Sequence, residues 1–233
     1  MFSKRAYKFF FFKKNMTAVL PTVLFECSLH GHISNKLKAK LLDRLIGICG
    51  THPIPIFEHE IGFIPTIQTT EGPHRNEDVL LRLKSPIEED DLTKRQWTLC
   101  QLGHPETRTG RTVTVRPVLY SKISVGDALK FMTVLGYSYT FEYAKKGIIF
   151  TYRDILKISI TQIFKLEVQH DVSKLTPFDP KENWIVEVTT IPVQQDQVDA
   201  YCLELKYFGD SLEGILNLFH VEHLVLQNKI HYS

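Results

Sequence analysis

The sequence predicts a mainly β protein of the α+β class, a large antiparallel sheet curled or closed into a β-barrel with helices covering it. Three observations carry this. Runs of strand length outnumber helical stretches; the order reads strand, helix, several strands, helix, several strands, helix; and no shift in composition divides the 233 residues. We therefore expect one barrel domain over 19–233, with helices near 35–49, 124–135 and 196–219, preceded by a disordered leader at 1–18.

From Val19, VLPTVLFECSLHG comes to alternate, setting Phe25, Cys27 and Leu29 against Glu26, Ser28 and His30, the period of a half-buried strand. SNKLKAKLLDRLIGICG then places Leu37, Leu41, Leu45 and Ile48 at helical spacing, with Ser34 or Asn35 as N-cap and Gly50 as terminator. THPIPIF reads as turn-rich. After it, FEHEIGFIPTI, VLLRLKS, RQWTLCQLG and TVTVRPVLY have the length of antiparallel strands, joined by the polar loops GPHRNED, PIEEDDLTK and HPETRTG. The acidic run Glu88 to Asp91 falls in one of these and reads as a solvated loop.

The second half opens with SVGDALKFMTVLG, where Ser124 and Asp127 fit a capping box and Gly136 closes a helix. DILKISITQIFKLEV alternates Leu156, Ile158 and Ile160 against Lys157, Ser159 and Thr161, a strand. A loop around TPFDPKEN leads to the strand WIVEVTTIPV. DQVDAYCLELKYFGDSLEGILNLF then spaces Val198, Tyr201, Cys202, Leu205 and Phe208 as a long helix with a break near Gly209.

Between these lies LGYSYTFEYAKKGIIFTY, with six aromatic rings in eighteen residues. Lys145, Lys146 and Gly147 suit a tight turn, so the stretch reads as a hairpin. With an even loop, Tyr139, Phe141 and Tyr143 share a face with Ile148, Phe150 and Tyr152, leaving Thr140, Glu142, Thr151 and Arg153 opposite. Base-stacking platforms set a basic track beside their rings; here the opposite face holds Glu142, so the rings read as core or protein interface.

Composition bounds the rest. With 43% hydrophobic and 23% charged residues the chain buries a substantial core, and a net charge of +2 gives no global field for nucleic acid. Cys27, Cys49, Cys100 and Cys202 form no C-x-x-C pair and read as reduced thiols of the cytosol or nucleus. No apolar run is long enough for a membrane-spanning helix. The leader MFSKRAYKFFFFKKN is too charged for a secretory signal, and too poor in Arg and Ser, with its apolar residues clumped, for a good presequence; Met16 is an alternative start.

Chemistry is sought without a signature. There is no phosphate-binding loop, dinucleotide fingerprint, H-E-x-x-H or G-x-S-x-G. Among the ten histidines, His30 and His32 share a face at a strand end, and His52, His59 and His74 sit in loops or near strand ends, which reads as ordinary hydrogen bonding. The enzymatic alternative is a metal-dependent triphosphatase of the β-tunnel type. Such tunnels carry E-x-E-x-K on the first strand, and the matching place here is Glu26-Cys27-Ser28-Leu29-His30, which keeps only the first carboxylate. Glu142, Glu187 and Glu204 are the other carboxylates considered, too few for a dense acidic lining.

Finally, RPVLYSKISVGDALKFMTVLGYSYTFEYAKKGIIFTYRDILKISITQIFKLE, followed by WIVEVTT and a closing helix, resembles subunit 18 of the Mediator transcription coactivator. FECSLHG, LLDRLIGICG and FEHEIGF precede it in that family's order. The likeness runs from about Phe25 to Leu218 and is strongest from Arg116 to Glu167. It implies a barrel with covering helices, of tunnel-triphosphatase-like fold without the active site, in the nuclear Mediator head module. It further implies pairing with subunit 20, a tether from the C-terminal helix of subunit 8, and contact with other head-module subunits and the RNA polymerase II machinery. It brings no catalytic, cofactor-binding or metal residue, no direct nucleic acid and no membrane, and assigns no partner-binding residue.

Overall fold

The structure, a computed structural model, describes residues 23–66, 79–89, 91–108 and 110–221. The expected leader at 1–18, His74 and Asp90 lie outside these. Nine strands and three α-helices follow in order: β1 (Leu24–Ile33), α1 (Asn35–Cys49), β2 (Ile54–Pro65), β3 (Leu81–Pro86), β4 (Trp97–Leu102), β5 (Thr114–Ile123), α2 (Ala128–Val134), β6 (Tyr137–Tyr152), β7 (Leu156–Val168), β8 (Asp171–Pro177), β9 (Trp184–Thr190) and α3 (Val198–Asp210) among the described residues, with a single 3-10 turn at Gln195–Gln197 leading into α3.

Every pairing is antiparallel, in the order β6-β2-β3-β4-β5-β1-β9-β7-β8. Because β6 also pairs with β7, eight strands close into a barrel, and β8 extends from the far end of β7. Closure removes the unpaired edges that an open sheet would present.

The helices decide which face is apolar. α1 and α3 lie on the outside of β1, β9, β7, β6 and β5, where Leu41, Leu45, Leu205 and Phe208 meet Cys27, Leu29, Phe150, Ile158, Ile160, Val186 and Val188. α2 covers a second cluster, with Ala128 and Met132 against Ile61, Phe63, Leu81, Leu83 and Trp97. The apolar faces of the strands beneath these helices therefore point away from the barrel axis, while Cys100, Leu102 and Val118 form a small apolar cluster of their own between β4 and β5. α1 stops at Gly50, whose φ of 65° is the left-handed conformation a helix terminus uses, and its N–H reaches the Ile46 carbonyl.

Several expectations are corrected. LGYSYTFEYAKKGIIFTY is no hairpin: from Tyr137 to Tyr152 it is the single strand β6, paired with β2 from Tyr137 to Ile149, straight through the expected turn. Gly147 makes no turn; it sits opposite Thr161, and a side chain there would collide with the Ile160 carbonyl, so glycine serves the close approach of β7. Without the turn the rings separate. Phe141 and Tyr143 stack inside at 6.1 Å, whereas Phe150 is buried outside and Tyr152 packs on Phe208 at 5.2 Å. A bulge at Gly62/Phe63 sets Tyr139 on the outside, against Glu142 and His170.

THPIPIF contributes the start of β2 instead of a turn. α2 begins after the expected 124, because Asp127 is itself the cap, accepting from the Leu129 and Lys130 amides. α3 ends before the expected 219: turns over 211–215 fold Leu212 and Leu216 into the same core, and Phe219 then bridges to His30. β8 was not foreseen from its polar sequence.

Candidate functional site

Cross-strand register places one polar residue after another on the inner face. Glu26 is opposite Arg116, Tyr120 opposite Cys100, Cys100 opposite Arg82, Lys84 opposite Glu60, Glu60 opposite Tyr143, and Glu187 opposite His30. The barrel is thus lined by charges while its exterior is apolar, the reverse of a protein whose sheet encloses its core.

Most of these charges face a charge of opposite sign. Glu60 is fully buried and accepts from Arg82 Nη1 at 2.8 Å, with Lys84 Nζ at 3.4 Å and Lys145 Nζ at 3.6 Å. Burial alone would raise its pKa; Lys84, Lys145 and Arg82 together outweigh that and hold the carboxyl at about 2. Glu187 lies 3.4 Å from His30 Nε2, and although burial opposes ionisation, that contact and the charges of Lys145 and Lys84 keep it well below the usual carboxylate range. Glu26 differs. Burial dominates and raises it, only partly offset by Arg116 at 4.0 Å and by the Tyr120 hydroxyl, which donates at 2.8 Å. Lys84 and Lys145 are held charged, since Glu60 outweighs the burial that disfavours them. The side chain of Glu187 keeps 30% of its surface accessible and that of Lys84 23%, so water reaches the lining and its charges are not fully desolvated.

Outside the barrel is a second polar group. His59, Glu142 and His170 are the group among the described residues whose donor atoms come within metal-ligand range, all within 4.8 Å of one another. Glu142 Oε2 is 2.8 Å from His59 Nε2 and 2.9 Å from His170 Nδ1, and Oε1 accepts the His170 amide at 2.8 Å. Arg95 Nη1 stands 3.2 Å from His59 Nδ1. A guanidinium only donates, so Nδ1 accepts, the ring hydrogen is on Nε2 and goes to Glu142, and that nitrogen has no lone pair to offer. The guanidinium charge further opposes a dication. The arrangement is a clamp: it fastens the β7–β8 turn, where His170 holds a φ of 65°, to β2 and β6.

The residues singled out by sequence scatter accordingly. Glu26, Ser28 and His30 do face the lumen, and Glu187 joins them, whereas Leu29 packs outside. His32 and His52 are exposed; Glu204 reaches Arg153 at 3.7 Å on the surface; Glu142 serves the outer clamp. Of the acidic run, Asp91 caps a turn at Thr93, and the Glu89 carbonyl accepts from Arg95. Sequence reasoning missed Glu60, Arg82, Lys84, Arg116 and Lys145. Their signal was present in the alternation of FEHEIGF and LRLKS, where polar residues hold one face in register.

The outer surface also exposes apolar side chains outside the helix-covered areas. Leu119 on β5 adjoins Val23, Pro117 and Pro192 around one groove, with the inward-facing Tyr120 exposed beside it at the barrel mouth, and Val125, Phe131 and Val134 form a ridge at α2. Exposed apolar groups gathered this way are typical of protein contact surfaces.

The Med18 protein family model matches residues 25–229. Among similar curated proteins is Mediator of RNA polymerase II transcription subunit 18 of Yarrowia lipolytica, 26% identical, the match covering 83% of this chain and 94% of that one. The Drosophila melanogaster protein of the same name is 26% identical, covering 85% of this chain and 86% of the relative. Of solved structures, a chain of the Schizosaccharomyces pombe Mediator head module superposes with a TM-score of 0.72 at 22% identity, over 84% of this chain and 98% of that one. The PH1819 protein of Pyrococcus horikoshii shares the fold at 0.54 and 13% identity, over 86% of this chain and 97% of that one. With the family's model spanning nearly all of the described barrel and its helices, the chain belongs to the Med18 protein family.

Proposed function

We propose that this protein is a non-catalytic scaffold subunit of the Mediator head module, a nuclear coactivator linking transcription regulators to RNA polymerase II. The observation that carries this is the family match over residues 25–229. The barrel itself, a fold that serves many functions, would not suffice. The subunit acts through protein–protein contact, pairing with Mediator subunit 20 and accepting the C-terminal helix of subunit 8. The exposed apolar groups on β5 and α2 support an interaction role, and burying a few of their rings would dominate the affinity.

A second reading, metal-dependent hydrolysis of a triphosphate inside the barrel, is favoured by one feature: Arg82 Nε and Arg116 Nε are buried donors without an acceptor among the described residues. Against it stands Glu60, whose carboxylate already faces three cations and has no negative charge left over to hold a dication. Coexpression with subunit 20 and the subunit 8 helix tests the scaffold reading. It predicts a stable complex by size-exclusion chromatography with light scattering; a chain that stays monomeric when mixed with both overturns it. Metal-dependent phosphate release from tripolyphosphate would instead establish the second reading.

A further inference from the structure

Two of the four thiols are brought together by the fold. Cys27 lies on the outward face of β1, opposite Val115, and is fully buried; Cys202 is half-buried on α3, packed against it. They are 175 positions apart in sequence, yet their sulfurs are 3.8 Å from each other and share a hydrogen bond. Arg111 Nη1 stands 3.5 Å from Cys202 Sγ, and the same guanidinium is anchored by Asp199 at 3.1 Å and Glu106 at 3.3 Å. The Cys27 amide donates to Thr190 Oγ1, fixing the β1 side of the pair.

We propose that Cys27 and Cys202 are an oxidative modification site: a reversible disulfide, formed by hydrogen peroxide, that ties α3 to the barrel. A disulfide needs the sulfurs at about 2.05 Å, so they close by about 1.8 Å, within reach of side-chain rotation on two elements already in contact. Roles divide by environment. Cys202 is reachable from solvent, and its thiol lies below the usual range because Cys27 hydrogen-bonds to it and Arg111 stands beside it; Cys27 is pushed up by the same shared hydrogen bond and by burial. The Cys202 thiolate attacks one peroxide oxygen and breaks the O–O bond, giving a sulfenic acid; the leaving hydroxide takes up a proton and departs as water. The Cys27 sulfur then attacks the Cys202 sulfur, the S–O bond breaks, and the departing hydroxide carries off the Cys27 proton as a second water. Two thiols are oxidised and one peroxide is reduced to two waters. Cys49 and Cys100 supply internal controls, since burial raises both and neither has a thiol partner among the described residues.

The full-length protein is titrated with a few equivalents of peroxide near neutral pH, quenched with N-ethylmaleimide and digested without reductant. The expected product is a Cys27–Cys202 cross-linked peptide pair, with Cys49 and Cys100 alkylated, reversed by dithiothreitol, and a Tm raised by roughly 5 °C or more from closing so long a loop. Arg111→Gln slows its formation several-fold. Cys27→Ser leaves a sulfenic acid on Cys202 that dimedone traps, and Cys202→Ser, at the more exposed position, abolishes the cross-link while the protein stays folded. Oxidation of Cys202 no faster than Cys49, or conversion of Cys202 to sulfinic acid with Cys27 still alkylated, overturns the proposal.

Discussion

The inside and the outside of this barrel are built from the same strands but held together by different forces. Outside, alternate residues of β1, β6, β7 and β9 bury against α1 and α3 in a continuous apolar cluster, which gains from area removed from water and has no preferred direction. Inside, the residues between them carry charge, and what matters is whether each charge has its counterpart. Glu60 with Arg82, Lys84 and Lys145 meets that condition, as does Glu187, which has the charges of Lys145 and Lys84 besides its contact with His30; Glu26, where burial outweighs Arg116, meets it less well. A core tolerates loss of atoms in proportion to the cavity left. A charge network fails by the loss of one sign, and its failure depends on pH.

The contrast can be broken from the outside first. Phe150 is fully buried in the cluster covered by α1 and α3, so Phe150→Ala is expected to cost about 3–5 kcal/mol in urea unfolding, with little change between pH 5 and pH 8. Glu60→Ala leaves three cations facing one another and is expected to cost about 3 kcal/mol. That is the low end for breaking a buried pair, because Arg82, Lys84 and Lys145 keep part of their surface in water.

A pH series sharpens the comparison. Glu60 titrates at about 2 in the folded chain and near the ordinary carboxylate value when unfolded. Between those values the unfolded state binds more protons, so the stabilisation is complete above about pH 5 and is lost as pH falls towards 2. Glu60→Gln should flatten that acid limb. Glu26, raised in the fold, has the opposite sign: the folded state binds more protons just above the ordinary carboxylate value, so its contribution weakens as pH rises, and Glu26→Gln should remove that slope. Stability curves of both variants check the two directions together. The smallest effect is at the helix over the second outer cluster, where Asp127→Ala removes the cap of α2 and is expected to cost about 1 kcal/mol by thermal unfolding.

Much of this architecture was legible in sequence, because strand and helix periods are local. The alternation of LKISI and the spacing of Leu41 and Leu45 each identify an element without reference to the rest of the chain. What periodicity does not give is which face is in. In LRLKS the natural assumption sends Arg82 and Lys84 to solvent, whereas three helices outside the barrel take Leu81, Leu83 and their like and leave the charges to the lumen. Glu60 was passed over for that reason, and the lining looked too sparse. The error at Gly147 is of the same kind. Lys-Lys-Gly is a good local turn, but β2 offers a partner to β6 straight through Lys145-Lys146-Gly147, and the glycine is required by a neighbouring strand more than ten residues away in sequence.

The central claim is that the lining charges are matched to one another, and that the barrel is a scaffold for partners instead of a vessel for chemistry. Titration calorimetry of the purified full-length chain with tripolyphosphate, in the presence of magnesium or manganese, tests it most directly. The account predicts no saturable binding and no phosphate release. Metal-dependent binding with hydrolysis, abolished in Glu60→Gln, would contradict it.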